Sequence, residues 1–214
     1  MRVVMSLLLL VLASVMSFAP AHASPPQRGI DPVHTPTRAA TDFTVVIAYS
    51  FGNRIAAGVD PTRTVGEPGP VNEALAEAVV RTRGNRTIPI YAQTNIARVL
   101  TSKYHATGVV EIPPDRKPDG TLVYLSTDGV AAKVAALRGR SAHTDVAGVV
   151  AFSDHLWRAV YTTRVNGLDA YAPADIAMPS TYDPQSGQDW TRNRAAYLPR
   201  DYAARLALVP RLVR

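Results

Sequence analysis

Short apolar runs alternate with longer amphipathic segments along the chain. Residues 43–49 and 148–152 are apolar or β-branched at nearly every position, which predicts strands that are buried on both faces. Residues 122–125 form either an additional strand or a packed loop. Shorter apolar runs predict further strands over residues 88–91, 109–112 and 169–172. Together these runs indicate a sheet that is covered by other elements on both faces.

Between the predicted strands, apolar residues recur at the three- and four-residue spacing of an amphipathic helix. The predicted helices cover residues 71–83, 94–103, 127–137, 154–165 and 189–208. The last of them should break near Pro199. Strand and helix alternate four times, which predicts a parallel sheet with helices on both faces and right-handed crossovers. We therefore predict the α/β class, as a three-layer sandwich with a mostly parallel, doubly wound (Rossmann-like) sheet.

The first 23 residues carry the pattern of a secretory signal peptide. Arg2 precedes an apolar stretch over residues 3–15, and residues 21–23 (Ala-His-Ala) have the small-x-small spacing that signal peptidase cleaves. A retained membrane anchor is the alternative, but the apolar stretch is shorter than the roughly 20 residues that span a bilayer. We therefore predict cleavage after Ala23, no stable membrane anchor in the mature protein, and a secreted or periplasmic location.

The rest of the chain divides into a leader and one domain. Residues 24–41 hold several prolines among polar residues, which predicts an extended, poorly ordered leader. Residues 42–214 have the length of a single domain. With 47% hydrophobic and 19% charged residues, the chain is too apolar and too weakly charged for a disordered protein.

Composition and charge exclude several classes of function. The chain has no cysteine, which excludes disulfide scaffolds, thiol catalysis and thiolate metal sites. The histidines are scattered without the clustered spacing of a zinc site, so no metal site is predicted. The formal net charge is +6, but the basic residues form no run and no nucleic-acid-binding motif, so we predict no nucleic-acid partner. A basic surface remains compatible with anionic envelope polymers.

Polar side chains cluster directly after the predicted strands. In a parallel sheet, ligands bind at the carboxyl ends of the strands, so these side chains are the candidate ligand contacts. They are Ser50, Asn53, Asn95, Thr127, Asp128, Ser153, Asp154, His155 and Arg158. Since Ser, Thr, Asn and Asp also cap helices, capping is the alternative role for several of them. The set predicts a rim that holds a polar or anionic small molecule against helix N-termini.

His155 and Arg158 form the most specific part of this prediction, because capping does not explain them. His155 lies at the start of a predicted helix, where the positive end of the helix dipole lowers the pKa of an imidazole and favours its neutral form. Arg158 lies three residues further on and therefore on the same helix face. We expect the two side chains to face one cavity and to orient an anionic ligand.

Sequence motifs assign no catalytic residues. A serine hydrolase of the α/β type carries its nucleophile in a Gly-x-Ser-x-Gly turn, and the chain has none. Asp154 and His155 are sequence neighbours, which is a poor arrangement for a catalytic pair. Paired carboxylates for glycoside hydrolysis cannot be picked out either. The catalytic residues and the cofactor therefore stay unassigned, and hydrolase or transferase activity stays open.

Residues 148–172 resemble the closing motif of the YdcF/SanA/ElyC-type envelope-biogenesis domain family. The matching positions are Ser153, His155, Arg158, Ala159, Gly167 and Leu168. Less specific matches lie upstream, at the first strand, at Gly69-Pro70-Val71 and at Ser126-Thr127. This resemblance implies a Rossmann-like domain of the cell envelope that binds a polar or anionic small molecule or a cell-wall precursor.

The chain departs from this family's pattern where glycines are expected. The glycine cluster after the first strand is reduced to residues 50–53 (Ser-Phe-Gly-Asn), and the Ser-Gly-Gly after the second strand is replaced by residues 92–94 (Ala-Gln-Thr). Glycines let a backbone approach phosphates closely, so their loss argues against the nucleotide or adenosylmethionine binding that the resemblance implies. The alternative function is therefore a catalytically inactive member that acts through contacts with proteins or anionic polymers.

Overall fold

The computed structural model describes Asp31 and residues 34–213, so the predicted signal peptide and the start of the leader lie outside the described residues. Within the described part, strands are found at Thr37–Arg38 (β1), Val45–Ala48 (β2), Ile90–Gln93 (β3), Val109–Ile112 (β4), Asp115–Arg116 (β5), Leu122–Val123 (β6), Val146–Val150 (β7) and Asp169–Pro173 (β8). α-Helices are found at Gly69–Arg83 (α1), Thr94–Ser102 (α2), Thr127–Arg138 (α3), Ser153–Val165 (α4) and Arg194–Leu212 (α5). No helix in this part of the chain is both long and apolar enough to span a membrane.

Six of these strands form one sheet in the order β1-β8-β7-β2-β3-β4, and β5 and β6 form a separate antiparallel pair. β2 lies in the interior of the sheet, where Val46 pairs with Ile90 of β3 on one side and with Gly148 of β7 on the other. All neighbouring strands of the six-stranded sheet run parallel. The predicted α/β class, a three-layer sandwich with a doubly wound, Rossmann-like sheet, is confirmed.

Consecutive residues of β2 face opposite layers of helices. Val46 packs in one core with Leu75 of α1 and with side chains of α2. Ile47 packs in a second core with Val134 of α3 and Val160 of α4. All five of these side chains are fully buried. The strand is therefore apolar at consecutive positions rather than at alternate ones.

The order of the strands reverses direction at β2. From β2 the chain passes through α1 to β3 and through α2 to β4, whereas β7 and β8 are added on the other side of β2. The carboxyl ends of β2 and β7 therefore flank a topological switch point, which is where open α/β sheets bind ligands.

The leader predicted over residues 24–41 is ordered toward its C-terminal end. Thr37–Arg38 form the edge strand β1, which pairs with β8. Further back, the carbonyl oxygen of Asp31 accepts a hydrogen bond from the indole Nε1 of Trp157 in α4 (2.9 Å). Pairing with β8 and contact with α4 order a segment whose proline content predicts a poorly ordered chain, so that prediction is wrong for this part of the leader.

The break predicted near Pro199 is also wrong, because α5 runs without interruption from Arg194 to Leu212. The side chain of Asn193 caps the helix by accepting a backbone N–H of the first turn (2.9 Å). Pro199 lies in the second turn, where its missing N–H removes one backbone hydrogen bond. Packing of Leu208 against Trp157 of α4 holds the helix in place despite this loss.

Gly148 of β7 leaves room for the buried ring of Phe43, because a Cβ at this position would lie 2.3 Å from Cδ2 of that ring. We predict that Gly148→Ala lowers the free energy of unfolding by about 1–3 kcal/mol, since the ring cannot move without displacing its neighbours. Urea denaturation measures this change. A variant as stable as the parent chain would contradict the packing described here.

Gly129→Ala is the matched control. At Gly129 in α3, an added Cβ would meet nothing closer than 3.5 Å. Alanine restricts the unfolded chain more than glycine does and favours the helix. We therefore expect this variant to raise the free energy of unfolding by about 0.5–1 kcal/mol.

Candidate functional site

A cavity of about 370 Å³ opens at the carboxyl edge of the sheet, beyond the ends of β2 and β3 and beside the first turns of α2, α3 and α4. Six of the nine side chains predicted as ligand contacts line it: Ser50, Asn53, Asn95, Thr127, His155 and Arg158. His155 and Arg158 therefore line the same cavity, as their spacing predicts. Their contact with a ligand stays a prediction.

Three of the predicted contacts lie outside this cavity: Asp128, Ser153 and Asp154. The carboxylate of Asp128 accepts a hydrogen bond from Arg211 (2.9 Å), and that of Asp154 accepts one from the hydroxyl of Tyr182 (2.8 Å). Successive helix residues are rotated by about 100°, so the residue after Thr127 and the residue before His155 point away from the cavity. The structure therefore does not bring these three residues to the cavity, and their role as ligand contacts stays a prediction.

Arg158 joins the cavity wall to α5 through its guanidinium group. Its Nε donates to Oδ1 of Asp201 (2.6 Å), and its terminal nitrogens donate to Oγ1 of Thr127 (2.5 Å) and to the hydroxyl of Tyr197 (3.1 Å). The other carboxylate oxygen of Asp201 accepts a hydrogen bond from Arg205 (2.5 Å). Two cations thus share one buried carboxylate, and the group keeps a net positive charge beside the cavity.

His155 is neutral within this network. Burial, assisted by the neighbouring Arg158 cation, lowers the pKa of its imidazole to about 4. Its Nε2 lies 3.5 Å from Oγ1 of Thr127, and its Nδ1 lies 3.8 Å from Oδ1 of Asp201. The position at a helix start predicts the direction of this pKa shift, but burial is its largest cause.

Sequence reasoning misses Asp201, which no motif marks. Burial opposes the ionisation of Asp201, but its contacts with His155 and Arg158 outweigh burial and hold the pKa of the carboxyl well below its usual range. Tyr197, Asp201 and Arg205 recur at four-residue spacing and therefore share one face of α5. This polar stripe is the signal in the sequence that could have pointed to a buried network.

Aromatic rings fill the crevice at the switch point between β2 and β7. Phe51 and Phe152, which follow these two strands, stack with their ring centroids 4.1 Å apart. Tyr182 packs against both rings, with centroids 5.7 and 4.6 Å away. A pyrophosphate bound as in dinucleotide-binding folds would meet these rings. The open cavity lies instead beside α3 and α4.

Gly52 allows another segment of the chain, rather than a ligand, to approach the loop after β2. Its φ is +68°, and a Cβ at this position would lie 2.5 Å from Oγ of Ser186 and 2.8 Å from Oγ1 of Thr191. The carbonyl oxygen of Asn53 accepts a hydrogen bond from the backbone N–H of Gly187 (2.7 Å). The protein's own hydroxyl groups thus occupy the space in which a glycine-rich loop would admit a phosphate.

Asn95, in the first turn of α2, lines the cavity and carries a buried acceptor without a partner in the described part of the chain. Its side chain is buried, and its Oδ1 has no hydrogen-bond partner among the described residues. The hydroxyl of the preceding Thr94, by contrast, donates to Glu111 (2.6 Å). A buried oxygen without a partner costs about 1–3 kcal/mol.

Comparison of the chain with protein-family models, with curated proteins and with solved structures found no match. The resemblance of residues 148–172 to the YdcF/SanA/ElyC-type family therefore stays a prediction. Over the described residues, no three histidine or acidic side chains come close enough together to hold a metal ion. The geometry defines a class of site, namely a polar, positively charged pocket at the carboxyl edge of a parallel sheet.

The shifted pKa of His155 makes the stability of the fold depend on pH. Because the imidazole takes up a proton less readily in the folded chain, the unfolded chain binds more protons between pH 6.5 and about 4. We predict that the free energy of unfolding falls as the pH decreases through this range, by up to about 1.4 kcal/mol per pH unit from this residue. Urea denaturation at several pH values measures the slope.

His155→Gln should flatten this part of the stability profile. The control His143→Gln removes an exposed imidazole and should leave the slope as it is in the parent chain. A slope that persists unchanged in His155→Gln would contradict the protonation behaviour assigned to His155.

Proposed function

We propose that the protein binds a small, polar, anionic molecule in the cavity at the carboxyl edge of the sheet, and that it does so as an exported protein of the cell envelope. The position of the cavity carries the binding proposal, since Asn95 and Thr127 at the starts of α2 and α3 line it together with Arg158 of α4. Backbone N–H groups and the helix dipole favour negative charge at the N-terminal ends of helices. A phosphorylated sugar, as found in cell-wall precursors, combines this charge with hydroxyl groups.

The charges beside the cavity support an anionic ligand. Arg158 and Arg205 carry two positive charges against the single negative charge of Asp201, while burial keeps His155 neutral. Each terminal nitrogen of Arg158 also carries a second N–H group that can donate to a ligand oxygen. Charge-assisted hydrogen bonds of this kind are stronger than neutral ones.

The remaining wall supports a ligand that is rich in hydroxyl groups. Asn53, Asn95 and Gln188 contribute amide side chains to the lining. Trp190 lines the same cavity and is partly exposed, so the apolar face of a sugar ring can pack against its indole. A sugar that carries a phosphate therefore matches both parts of the wall.

Isothermal titration calorimetry with inorganic phosphate, glucose and glucose 1-phosphate tests this proposal. We expect glucose 1-phosphate to bind, phosphate to bind more weakly, and glucose to show no measurable binding. Arg158→Met should weaken the binding of glucose 1-phosphate by about tenfold or more, because it removes a charge-assisted hydrogen bond to the anion. Failure of all three probes to bind, or an affinity that Arg158→Met leaves unchanged, would contradict the proposal.

Arg138→Met is the matched control for this experiment. Arg138 also makes two hydrogen bonds to a buried carboxylate, that of Asp145 (2.6 and 2.9 Å), but it lies at the end of α3 and does not line the cavity. The control should lose stability and keep its affinity. If the protein instead binds anionic polymers in a salt-sensitive way, and Arg158→Met leaves that binding unchanged, the result would favour the alternative function, in which the protein acts through surface contacts.

The proposed export depends on residues 1–23. We predict that the exported fraction of the full chain, expressed in a bacterial host, begins at Ser24 when its N-terminus is sequenced. Ala23→Gln should block cleavage, because signal peptidase requires a small residue there. The control His22→Gln changes the variable position between the two alanines and should be cleaved. Recovery of the parent chain only in the cytoplasm, with its first residues intact, would overturn this part of the proposal.

A further inference from the structure

Two nitrogen groups of α4 with opposite hydrogen-bonding roles contact the hydroxyl of Thr127. A guanidinium nitrogen of Arg158 donates to Oγ1 (2.5 Å), and Nε2 of His155 lies 3.5 Å from the same atom. Because a guanidinium group can only donate, the hydroxyl proton of Thr127 can point to Nε2. Thr127 is also the first residue of α3, and it lines the cavity.

From this arrangement we propose that Thr127 is the nucleophile of a site that hydrolyses a carboxylic ester, with His155 as its general base. A hydroxyl nucleophile needs an adjacent base and a third group that orients the base, and the distances between them are often longer before a substrate binds. The inference rests on the proposed function, because the ester belongs to the small polar molecule that occupies the cavity.

Asp201 is the positioning residue for His155. Its Oδ1 lies 3.8 Å from Nδ1 of the imidazole, which is buried and has no hydrogen-bond partner among the described residues. A carboxylate on this side favours the tautomer that carries its proton on Nδ1, so the lone pair of Nε2 faces Thr127. Arg158 and Arg205 hold the carboxylate in this position.

The reaction has two steps, which together convert the ester and one water molecule into a carboxylic acid and an alcohol. In the first step, Oγ1 of Thr127 attacks the ester carbonyl carbon while its proton passes to Nε2 of His155. The bond to the alcohol oxygen then breaks, the alcohol takes the proton from His155, and the acyl group stays on Thr127. In the second step, water attacks the acyl carbon and gives a proton to His155, which returns it to the departing threonine oxygen as the acid leaves.

Two groups stabilise the charge that develops in this reaction. The hydrogen bond from Arg158 stabilises Oγ1 of Thr127 as it loses its proton. The substrate's carbonyl oxygen becomes negative next to the first residue of α3, where the positive end of the helix favours an anion.

Neighbouring serine hydroxyls are less suited to the role of nucleophile. Ser126 caps α3, and its Oγ accepts the backbone N–H of Gly129 (3.0 Å). Ser153 does not line the cavity. The inference is therefore specific for Thr127, which separates it from a general expectation of hydrolase activity.

A fluorophosphonate probe, which phosphonylates activated hydroxyl groups, tests the nucleophile on the full chain. We expect one adduct, located on Thr127 by peptide mass spectrometry. Thr127→Ser should keep labelling, Thr127→Val should abolish it, and His155→Gln should slow it by on the order of a hundredfold or more. The control Ser141→Ala removes an exposed hydroxyl that lies outside the cavity and should label like the parent chain. Circular dichroism shows which variants are folded.

Hydrolysis of p-nitrophenyl acetate tests the roles of His155 and Asp201. The rate should fall as the pH decreases through about 4, where His155 takes up a proton. Asp201→Asn should slow hydrolysis and move this fall to lower pH, because the carboxylate raises the pKa of His155. A purely structural role of Asp201 would not move the pH dependence. If Asp201→Asn does not fold, the labelling of Thr127→Val and Thr127→Ser still decides the inference.

An adduct on another residue, or no adduct on the folded parent chain, overturns the inference. Failure of the catalytic inference and failure of the proposed function are distinguishable. Binding of glucose 1-phosphate without any adduct contradicts catalysis alone. An adduct on Thr127 without affinity for glucose 1-phosphate supports the esterase and contradicts the proposed ligand.

Discussion

The buried carboxylate of Asp201 is the interaction on which the geometry of the site depends. It accepts hydrogen bonds from Arg158 of α4, from Arg205 of its own helix and from the hydroxyl of Tyr197. Arg205 also donates to the carbonyl oxygen of Asp154 at the start of α4 (2.8 Å). Leaving a buried charge without its partner lowers the free energy of unfolding by about 3–5 kcal/mol. The ion pairs of Asp201 therefore hold α5 against α4. The cavity therefore has its complete wall only when α5 is docked on α4.

The central sheet could be predicted from the sequence because its strands are apolar at consecutive positions. The run over residues 43–49 contains β2, and the predicted helix over residues 154–165 differs from α4 by one residue. The elements that were predicted wrongly depend on contacts far away in the chain. β1 forms because it pairs with the edge of β8. α5 continues through Pro199 because it packs against α4. Local sequence carries no signal for either contact.

The candidate site was predictable only in part, for a related reason. Parallel topology brings the residues after successive strands to one edge, which is why Ser50, Asn95 and His155 share a cavity. Spacing alone does not say which of two consecutive helix residues points inward, so the sequence groups Asp128 with Thr127. Asp201 lies on a helix that follows a long loop, so no rule about strand ends includes it. Its identification required the docked position of α5.

β1, the first strand in chain order, pairs with β8, which is the last strand in chain order among the described residues. Thr37 pairs with Ala172, and the backbone N–H of Ala40 donates to Asp175, 135 residues further along (3.1 Å). Contacts between such distant segments form late, because the intervening chain must first be closed into a loop. While the chain is being synthesised, Thr37–Arg38 therefore have no strand to pair with until β8 has emerged. Until this pairing forms, the edge of β8 is open to strands of other chains, so β1 acts as the segment that protects this edge of the sheet.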